Sequence, residues 1–345
     1  MPHYRYRFGA TDVEVHARPA PLAAAVGAVF AHLGVPPAAP DRPAPARVAL
    51  DLEVAEEGLD VPAGAREAAP LSAFVRAWEA GGCVYLSADW EGTRSVVCVD
   101  AGAGRARGRV HPALVADPRE AWWRLFVFVV SSAFLLLRRR GLYALHAAAL
   151  GRPGTRPGPA EPAGAGLLLV GDSDAGKSTL ACALVRAGWP YLSDDTVLLD
   201  GGGAAVGAVP FRRHFGLDTV AGRFFPELAG GPHLPLAEED KWVVDVERQF
   251  PGRTAGRIVP RVVVVPQIVD ADESRVEPAS AVDAHYALVR QSALVRLEPD
   301  AAREHLAALA RLVGQTRHYR LFGGRDVVRR PARASELLAP LLTDA

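Results

Sequence analysis

GDSDAGKS, residues 171–178, consists of a glycine, four variable residues, a second glycine, a lysine and a serine. This is the spacing of a phosphate-binding loop, in which main-chain N–H groups and the lysine ammonium surround phosphate oxygens. The chain contains only two lysines, Lys177 in this motif and Lys241, among 39 lysines and arginines. A compact ammonium fits between neighbouring phosphates where a planar guanidinium does not. The retention of lysine here therefore favours a nucleotide-phosphate site.

The segments on either side of the motif have the expected patterns. Leu167–Val170 is a short apolar run that predicts a buried parallel strand. Ser178–Ala187 has helical spacing of its apolar residues, and Gly188 and Pro190 predict the end of that helix. Such an arrangement directs N–H groups at an anion and the hydroxyl of Ser178 at the metal that accompanies ATP. The alternative is a glycine-rich turn that merely connects a strand to a helix.

Composition and charge exclude several classes of function. Apolar residues make up 50% of the chain and charged residues 23%, and the formal net charge is zero, so nothing predicts wholesale binding to nucleic acid or anionic membranes. Cys83, Cys98 and Cys182 lack metal-binding spacing and predict reduced thiols. The N-terminus has no secretory apolar core, and the 13-residue run Leu125–Leu137 is too short to cross a bilayer. We therefore expect a cytoplasmic protein that binds neither nucleic acid nor membranes.

Apolar periodicity divides the chain into two predicted regions. Residues 1–115 are predicted to form a small β-rich, mainly antiparallel N-terminal subdomain with one short helix near Leu22–Leu33. Residues 116–345 are predicted to form an α/β domain around the phosphate loop. The predicted elements of this domain are a long helix from Asp117 to Arg140, a strand at Leu142–Leu150, a surface loop at Gly151–Gly164, strands at Val197–Leu199, Val262–Val265 and His318–Phe322, and helices at Ala281–Val289 and Asp300–Val313.

A phosphate loop that transfers phosphate also needs an acid for the metal and a base for the attacking hydroxyl. The apolar run Val262–Val265 is followed by Pro266 rather than by the usual aspartate. Instead, Asp194 and Asp195 begin a strand shortly after the helix that leaves the loop. One of them would hold Mg²⁺ opposite Ser178 and the other would act as the base; the alternative is that they cap a turn or lie on the surface. The chain has no Leu-Ser-Gly-Gly-Gln or Asn-Lys-x-Asp stretch, which argues against a transport ATPase and a GTP switch.

Three motifs in this order resemble a known family. Leu145-His146-Ala147-Ala148-Ala149, GDSDAGKS and Ser193-Asp194-Asp195 are similar to the catalytic domain of bacterial HPr kinase/phosphorylase. The similarity is closer still to the HPr-kinase-like proteins encoded near peptide-modifying enzymes. It covers about residues 118–330, with strong matches confined to 142–200. The resemblance implies a phosphate-loop domain related to phosphoenolpyruvate carboxykinase, in which ATP phosphorylates a serine hydroxyl.

The resemblance also implies roles for individual residues. Ser178 and Asp195 would hold Mg²⁺, Asp194 would be the candidate base, and His146 would lie beside the γ-phosphate. The alternative for His146 is a hydrogen-bonded core residue on an apolar strand. The residues that would grip the phosphates are Gly171, Asp172, Ser173, Asp174, Ala175, Gly176, Lys177, Ser178 and Thr179.

The chain departs from the family pattern in two places. Thr179 occupies the position where the family usually has a glutamate, and no later glycine-rich motif with a metal-binding glutamate is present. These departures argue against HPr as the substrate and against a reverse phosphorylase activity. They leave phosphoryl transfer as the expected chemistry.

The second lysine is a further candidate. Lys241 lies in the acidic stretch Glu238-Glu239-Asp240-Lys241-Trp242 of a chain that otherwise uses arginine. We predict that a loop delivers Lys241 as a point charge to phosphate or to the transition state; the alternative is an ordinary surface lysine. Arg212 and Arg213 are weaker candidates for contacts to phosphate or substrate.

The sequence thus predicts a kinase that uses ATP and Mg²⁺ to phosphorylate a Ser or Thr hydroxyl. We expect the acceptor to be a peptide or small protein, such as a ribosomally made peptide precursor. Two alternatives are a non-catalytic ATP-binding regulatory module and a small-metabolite kinase of the same fold. The sequence leaves open the identity of the acceptor, the existence of a reverse phosphorylase activity, assembly into a homo-oligomer, the role of the N-terminal subdomain and any metal ligand beyond the Asp pair.

Overall fold

The computed structural model describes residues 3–39, 44–68, 70–159, 161–228, 233–236 and 239–343. The chain is a mixed α/β protein with several sheets. It forms two compact units, Met1–Tyr143 with Ala293–His305, and Ala144–Ser292 with Leu306–Ala345. This division differs from the boundary predicted near residue 115, and it assigns a late segment to the first unit.

The first unit is built on one large sheet. Within the described residues, the sheet runs in the order β1-β2-β3-β8-β7-β6-β5-β4. β3 pairs in parallel with β2 and β8, and the other pairs are antiparallel. Its elements are β1 (His3–Phe8), β2 (Thr11–Arg18), α1 (Ala20–His32), β3 (Ala46–Val54), β4 (Arg66–Glu67), β5 (Val75–Ala80), β6 (Cys83–Trp90), β7 (Thr93–Asp100), β8 (Arg105–Val110) and α2 (Ala121–Arg138).

The helix α2 explains why the first unit extends beyond residue 115. It has 18 residues, is long and apolar enough to cross a membrane, and has 72% of its length buried inside the protein. The apolar run of 13 residues seen in the sequence therefore underestimates its length. The helix packs against α1 and against β3, β6, β7 and β8, as the core helix of this unit. Periodicity predicts such a helix, but it does not reveal which sheet the helix covers.

A buried ion pair joins the segment Ala293–His305 to the end of α2. Arg138 is 1% exposed, and its guanidinium donates to the carbonyl of Leu297 at 2.9 Å and to the carboxylate of Glu298 at 2.7 Å. Arg139 donates to the other oxygen of the same carboxylate at 3.0 Å. Buried charges are stable only when they are paired and hydrogen-bonded, so these contacts fix the position of the segment.

The second unit contains the phosphate-loop motif, and the unit boundaries fall after Tyr143, Ser292 and His305. Most helices and strands predicted for the α/β domain are confirmed to within a few residues. The elements are β9 (Leu142–Gly151), β10 (Pro162–Val170), α3 (Lys177–Arg186), β11 (Tyr191–Ser193), β12 (Thr196–Asp200), β13 (Gly207–Pro210), β14 (His214–Asp218), α4 (Thr219–Phe224), β15 (His233–Leu236), β16 (Glu239–Asp245), α5 (Val246–Gln249), β17 (Arg257–Ile268), β18 (Arg275–Pro278), α6 (Ala281–Arg290), α7 (Pro299–Gln315), β19 (Arg317–Gly323), α8 (Asp326–Arg329), α9 (Ala332–Leu338) and α10 (Pro340–Thr343).

Parallel pairing places the motif at one edge of the main sheet of this unit. The strands run in the order β10-β9-β12-β13-β17-β19-β18, and β10 also pairs with β17. β10, β17 and β19 are parallel, so their carboxyl ends share one edge, and the motif follows β10 there. The predicted buried parallel strand is confirmed, with β9 antiparallel on its other side. A separate three-stranded sheet has the order β14-β16-β15.

Apolar side chains hold α3 against this sheet. Leu167 and Leu169 of β10, Val262 and Val264 of β17, and Leu184 of α3 are fully buried in one cluster. Each such side chain contributes about 1.5–3 kcal/mol through burial. Because both strands and the helix share this core, the turn between β10 and α3 is held at both of its ends.

We expect Arg138→Met to destabilise the protein, because the substitution leaves the carboxylate of Glu298 buried with only part of its pairing. Breaking a buried ion pair from one side costs about 3–5 kcal/mol, and the remaining contact from Arg139 places the loss at the lower end of that range. Urea denaturation followed by circular dichroism measures the change. Arg303→Met is the control, since its ion pair with Asp300 is 77% and 76% exposed. A midpoint for Arg138→Met equal to that of the control contradicts the argument.

Candidate nucleotide-phosphate site

In the turn between β10 and α3, the backbone at Gly176 adopts the left-handed conformation that glycine permits. Gly176 lies directly before α3 in the left-handed region, at φ +86°. An added Cβ there would lie 3.4 Å from the side chain of Ile268, which follows from the close approach of β17. Asp174 is also left-handed, at φ +62°. The N-terminus of the ten-residue helix α3 therefore follows the turn at once, as in sites that bind anions.

Lys177 is buried at the first position of α3. Its side chain is folded onto the turn, where Nζ donates to the carbonyls of Gly171 at 2.9 Å and Asp172 at 2.8 Å. Burial lowers the pKa of Lys177, while nearby carboxylates, that of Asp195 above all and also that of Asp194, act in the opposite direction. The ammonium and the acid pair predicted from the sequence are thus close enough to interact electrostatically.

Asp194 lies in the turn between β11 and β12 and is 2% exposed. One carboxyl oxygen accepts a hydrogen bond from the hydroxyl of Tyr191 at 3.1 Å, and the other accepts from the main-chain N–H of Gly216 at 3.2 Å. Burial raises the pKa of this carboxyl to about 6, and the charge of Arg212 opposes the rise. An added Cβ on Gly216 would lie 2.8 Å from the guanidinium of Arg212, so glycine is what permits this approach.

Asp195 is the accessible member of the pair, with 37% of its side chain exposed. One of its oxygens lies 3.5 Å from Nδ1 of His146, and the other accepts from the hydroxyl of Thr196 at 2.7 Å and lies 3.9 Å from Arg212. The carbonyl of Asp195 also accepts from the N–H of Ala147 at 2.8 Å. This bond fastens the turn to β9, and it places His146 beside the acid pair rather than in the core.

The oxygen donors at this edge suit a magnesium ion. Ser178 is half-buried in the first turn of α3, and Asp195 offers an accessible carboxylate. Among the described residues no group of three or more His, Cys, Asp and Glu side chains is placed to hold a metal. A small protein donor set fits Mg²⁺, which usually keeps waters and is shared with substrate phosphates. The buried ammonium of Lys177 and the N-terminus of α3 suit the phosphates themselves.

The structure describes only the main chain of one further predicted site residue. Lys241 belongs to β16, where its main chain pairs with Asp218 of β14 and Leu234 of β15. It therefore occupies a strand rather than the predicted loop, and its side chain lies outside the described residues. Its contact with phosphate stays a prediction.

Two site residues carry no signal in the sequence. Nη2 of Arg290 donates to both carboxyl oxygens of Asp172, at 3.0 and 2.9 Å, and Nε2 of Gln291 donates to one of them at 2.8 Å. Arg290 ends α6, 118 residues after its partner, and is one of 37 arginines. Only the packing of α6 brings it to the turn. Arg212, a weaker sequence candidate, is 7% exposed and lies beside the acid pair.

Comparisons with known proteins add a distant likeness to solved structures. No protein-family model matches the chain, and no curated protein matches it. Among solved structures, the chain is similar to the HPr(Ser) kinase/phosphatase from Coxiella burnetii, with 16% sequence identity and a TM-score of 0.23. The likeness covers 39% of this chain and 77% of that chain. Membership of the HPr kinase family therefore stays a prediction, and the case for function rests on the geometry of the site.

We expect Gly176→Ala to destabilise the protein by about 1–2 kcal/mol, because alanine is strained at a left-handed position. The matched control is Gly314→Ala within α7, where an added Cβ meets open space. The control should stabilise the protein by about 0.5–1 kcal/mol, since alanine is the better helix former. Denaturation curves for the two variants should move in opposite directions. A shift of both in the same direction contradicts the assigned turn geometry.

Proposed function

We propose that this protein is an ATP- and Mg²⁺-dependent kinase that phosphorylates a Ser or Thr hydroxyl of a peptide or small protein. The observation that carries the proposal is the placement of the buried ammonium of Lys177 within electrostatic reach of Asp195 and Asp194. A cation beside paired acids at the start of a helix is what phosphoryl transfer requires, since this reaction depends on positioning and charge neutralisation.

The proposed roles follow from access and charge. Lys177 and the first turn of α3 receive the phosphates of ATP, and Lys177 exchanges its carbonyl partners for phosphate oxygens. Ser178 and Asp195 would hold Mg²⁺, which supplies neutralisation of the phosphate charge when it is bound. His146, whose Nδ1 lies 3.5 Å from Asp195, would orient that carboxylate.

Asp194 and Asp195 differ in how well each could accept the proton of the attacking hydroxyl. The sequence predicts Asp194, and a pKa of about 6 suits a group that must be ionised near neutral pH. Both of its oxygens, however, are engaged by Tyr191 and Gly216, and the side chain is 2% exposed. Asp195 has the access that an incoming hydroxyl needs. The geometry thus favours the pair acting together, with Asp195 nearest to the ligand.

The burial of Asp194 also favours the rival function, a non-catalytic ATP-binding module. In that case Asp194 is a structural acid that ties the β11–β12 turn to β14. A small-metabolite kinase would use the same groups on another acceptor.

Neutral net charge supports the expectation of a protein without nucleic-acid or membrane partners, and we propose a cytoplasmic location. We also propose that the acceptor is a peptide and that the protein associates with itself.

We expect Asp195→Asn to reduce phosphoryl transfer by about 10²–10⁴-fold, because the accessible carboxylate is lost. ATP affinity should change by only a few-fold. The assay measures transfer of radiolabelled phosphate from ATP to panels of Ser/Thr peptides and of hydroxylated metabolites. Mass spectrometry then identifies the phosphorylated products. Asp300→Asn, on a 76% exposed carboxylate, is the control and should leave the rate unchanged. Binding of ATP by the wild-type chain without transfer to either panel would support the non-catalytic module instead.

We expect the transfer rate to rise with pH through about 6, because burial raises the pKa of Asp194 to about 6 and only the ionised carboxyl accepts a proton. The rate is measured between pH 4.5 and 8.5 in the wild type and in Asp194→Asn. Disappearance of the step, together with the loss of transfer at unchanged ATP affinity, supports Asp194 as the base. A variant that keeps both its rate and the step assigns the base to Asp195.

A further inference from the structure

We propose that Arg290 is a terminal-phosphate sensor, which Asp172 holds in the nucleotide-free protein and which moves to the γ-phosphate when ATP binds. The inference deepens the proposed function, because it takes ATP as the ligand of the site. It assigns to Arg290 the discrimination between ATP and ADP. Its test measures binding alone, so it does not depend on phosphoryl transfer.

Asp172 holds both cations of the turn. Its carbonyl accepts from Nζ of Lys177 at 2.8 Å, and its carboxylate accepts from Nη2 of Arg290 at 2.9 and 3.0 Å. Asp172 is the second residue of the motif, and Arg290 is the residue that ends α6. One motif residue thus holds a buried ammonium and a half-exposed guanidinium, each on an oxygen that phosphate can replace.

The fixed geometry around Arg290 lets its guanidinium move while its backbone stays in place. Gln291 donates from Nε2 to the same carboxylate at 2.8 Å, and its carbonyl accepts from the N–H of His146 at 3.0 Å. The end of α6 is therefore attached both to the turn and to β9. The side chain of Arg290 is itself 50% exposed, so a change of its partner needs no unpacking.

The guanidinium has unused donors. Among the described residues, Nη2 alone of its nitrogens makes a hydrogen bond, and Cζ lies 5.7 Å from the centroid of the Tyr286 ring. A guanidinium presents a planar fork that matches two oxygens of a phosphate. Nε and Nη1 are thus available for bidentate contact with an anion.

Charge balance gives the exchange its direction. The carboxylates that act on Lys177 are those of Asp195, Asp172, Asp194 and Asp174, so the site is rich in negative charge before any nucleotide arrives. A triphosphate brings further negative charge, which Lys177, Arg212 and the accompanying Mg²⁺ offset only in part. The cation that can leave the carboxylate of Asp172 for a phosphate is the guanidinium of Arg290. Asp172 then keeps its hydrogen bond from Gln291.

The proposal makes opposite predictions for the two ends of the ion pair. Arg290→Gln should weaken ATP binding by about 10–100-fold, the range for a lost hydrogen bond to a charged group, and should change ADP binding by less than about threefold. Asp172→Asn should instead tighten ATP binding several-fold, because it frees Arg290 and removes a nearby negative charge. In the double variant most of that gain should vanish.

The measurement is isothermal titration of ATP and ADP, each with Mg²⁺, into the wild type, both single variants and the double variant. Arg303→Gln, in the exposed ion pair of α7, is the matched control and should change neither affinity. Thermal denaturation shows whether each variant is folded. Equal losses of ATP and ADP affinity in both single variants mean that the ion pair only shapes the turn, and overturn the proposal. A wild type that binds ATP no better than ADP also overturns it, whereas ATP preference without any transfer refutes only the proposed kinase.

Discussion

The site depends on the attraction between a buried ammonium and the carboxylates around it. Lys177 is 6% exposed, and its charge is disfavoured by burial and supported chiefly by Asp195. The ammonium would be unstable without these carboxylates, since an unpaired buried charge is costly. The turn after β10, the first turn of α3 and the β11–β12 turn must therefore keep their spacing. The shared apolar core of β10, β17 and α3 provides that rigidity.

Much of this arrangement could be predicted from the sequence, because the signals are local. The apolar run before the motif, the helical spacing after it and the stop at Gly188 are properties of neighbouring residues, and Gly188 indeed lies at φ +97°. Only one helix, α3, and one reversal of the chain separate the loop from Asp194 and Asp195, so their return to the loop could be expected. No local pattern singles out His146, which only the family resemblance proposes; in the structure the bond from the N–H of Ala147 to the carbonyl of Asp195 brings it beside that acid.

Other features depend on contacts between distant residues, and no local pattern encodes them. Asp194 and Asp195 look alike in sequence, yet one is enclosed and the other open, because Tyr191 and Gly216 close over the first alone. The helix α2 has the periodicity of any core helix, so its partner sheet could not be chosen in advance. Arg290 is indistinguishable from the other arginines until α6 is packed at the turn.

The bond from Gly216 to Asp194 links the small sheet to the chemistry of the site. The N–H of Gly216 stabilises the ionised carboxyl, so a displacement of β14 by an ångström or two would remove this donor and raise the pKa of Asp194 further. The same strand pairs with β16 along its whole length. A molecule seated on the three-stranded sheet would thereby change the proton affinity of an acid that it never touches. Proton uptake or release on ligand addition would then report the movement of this sheet.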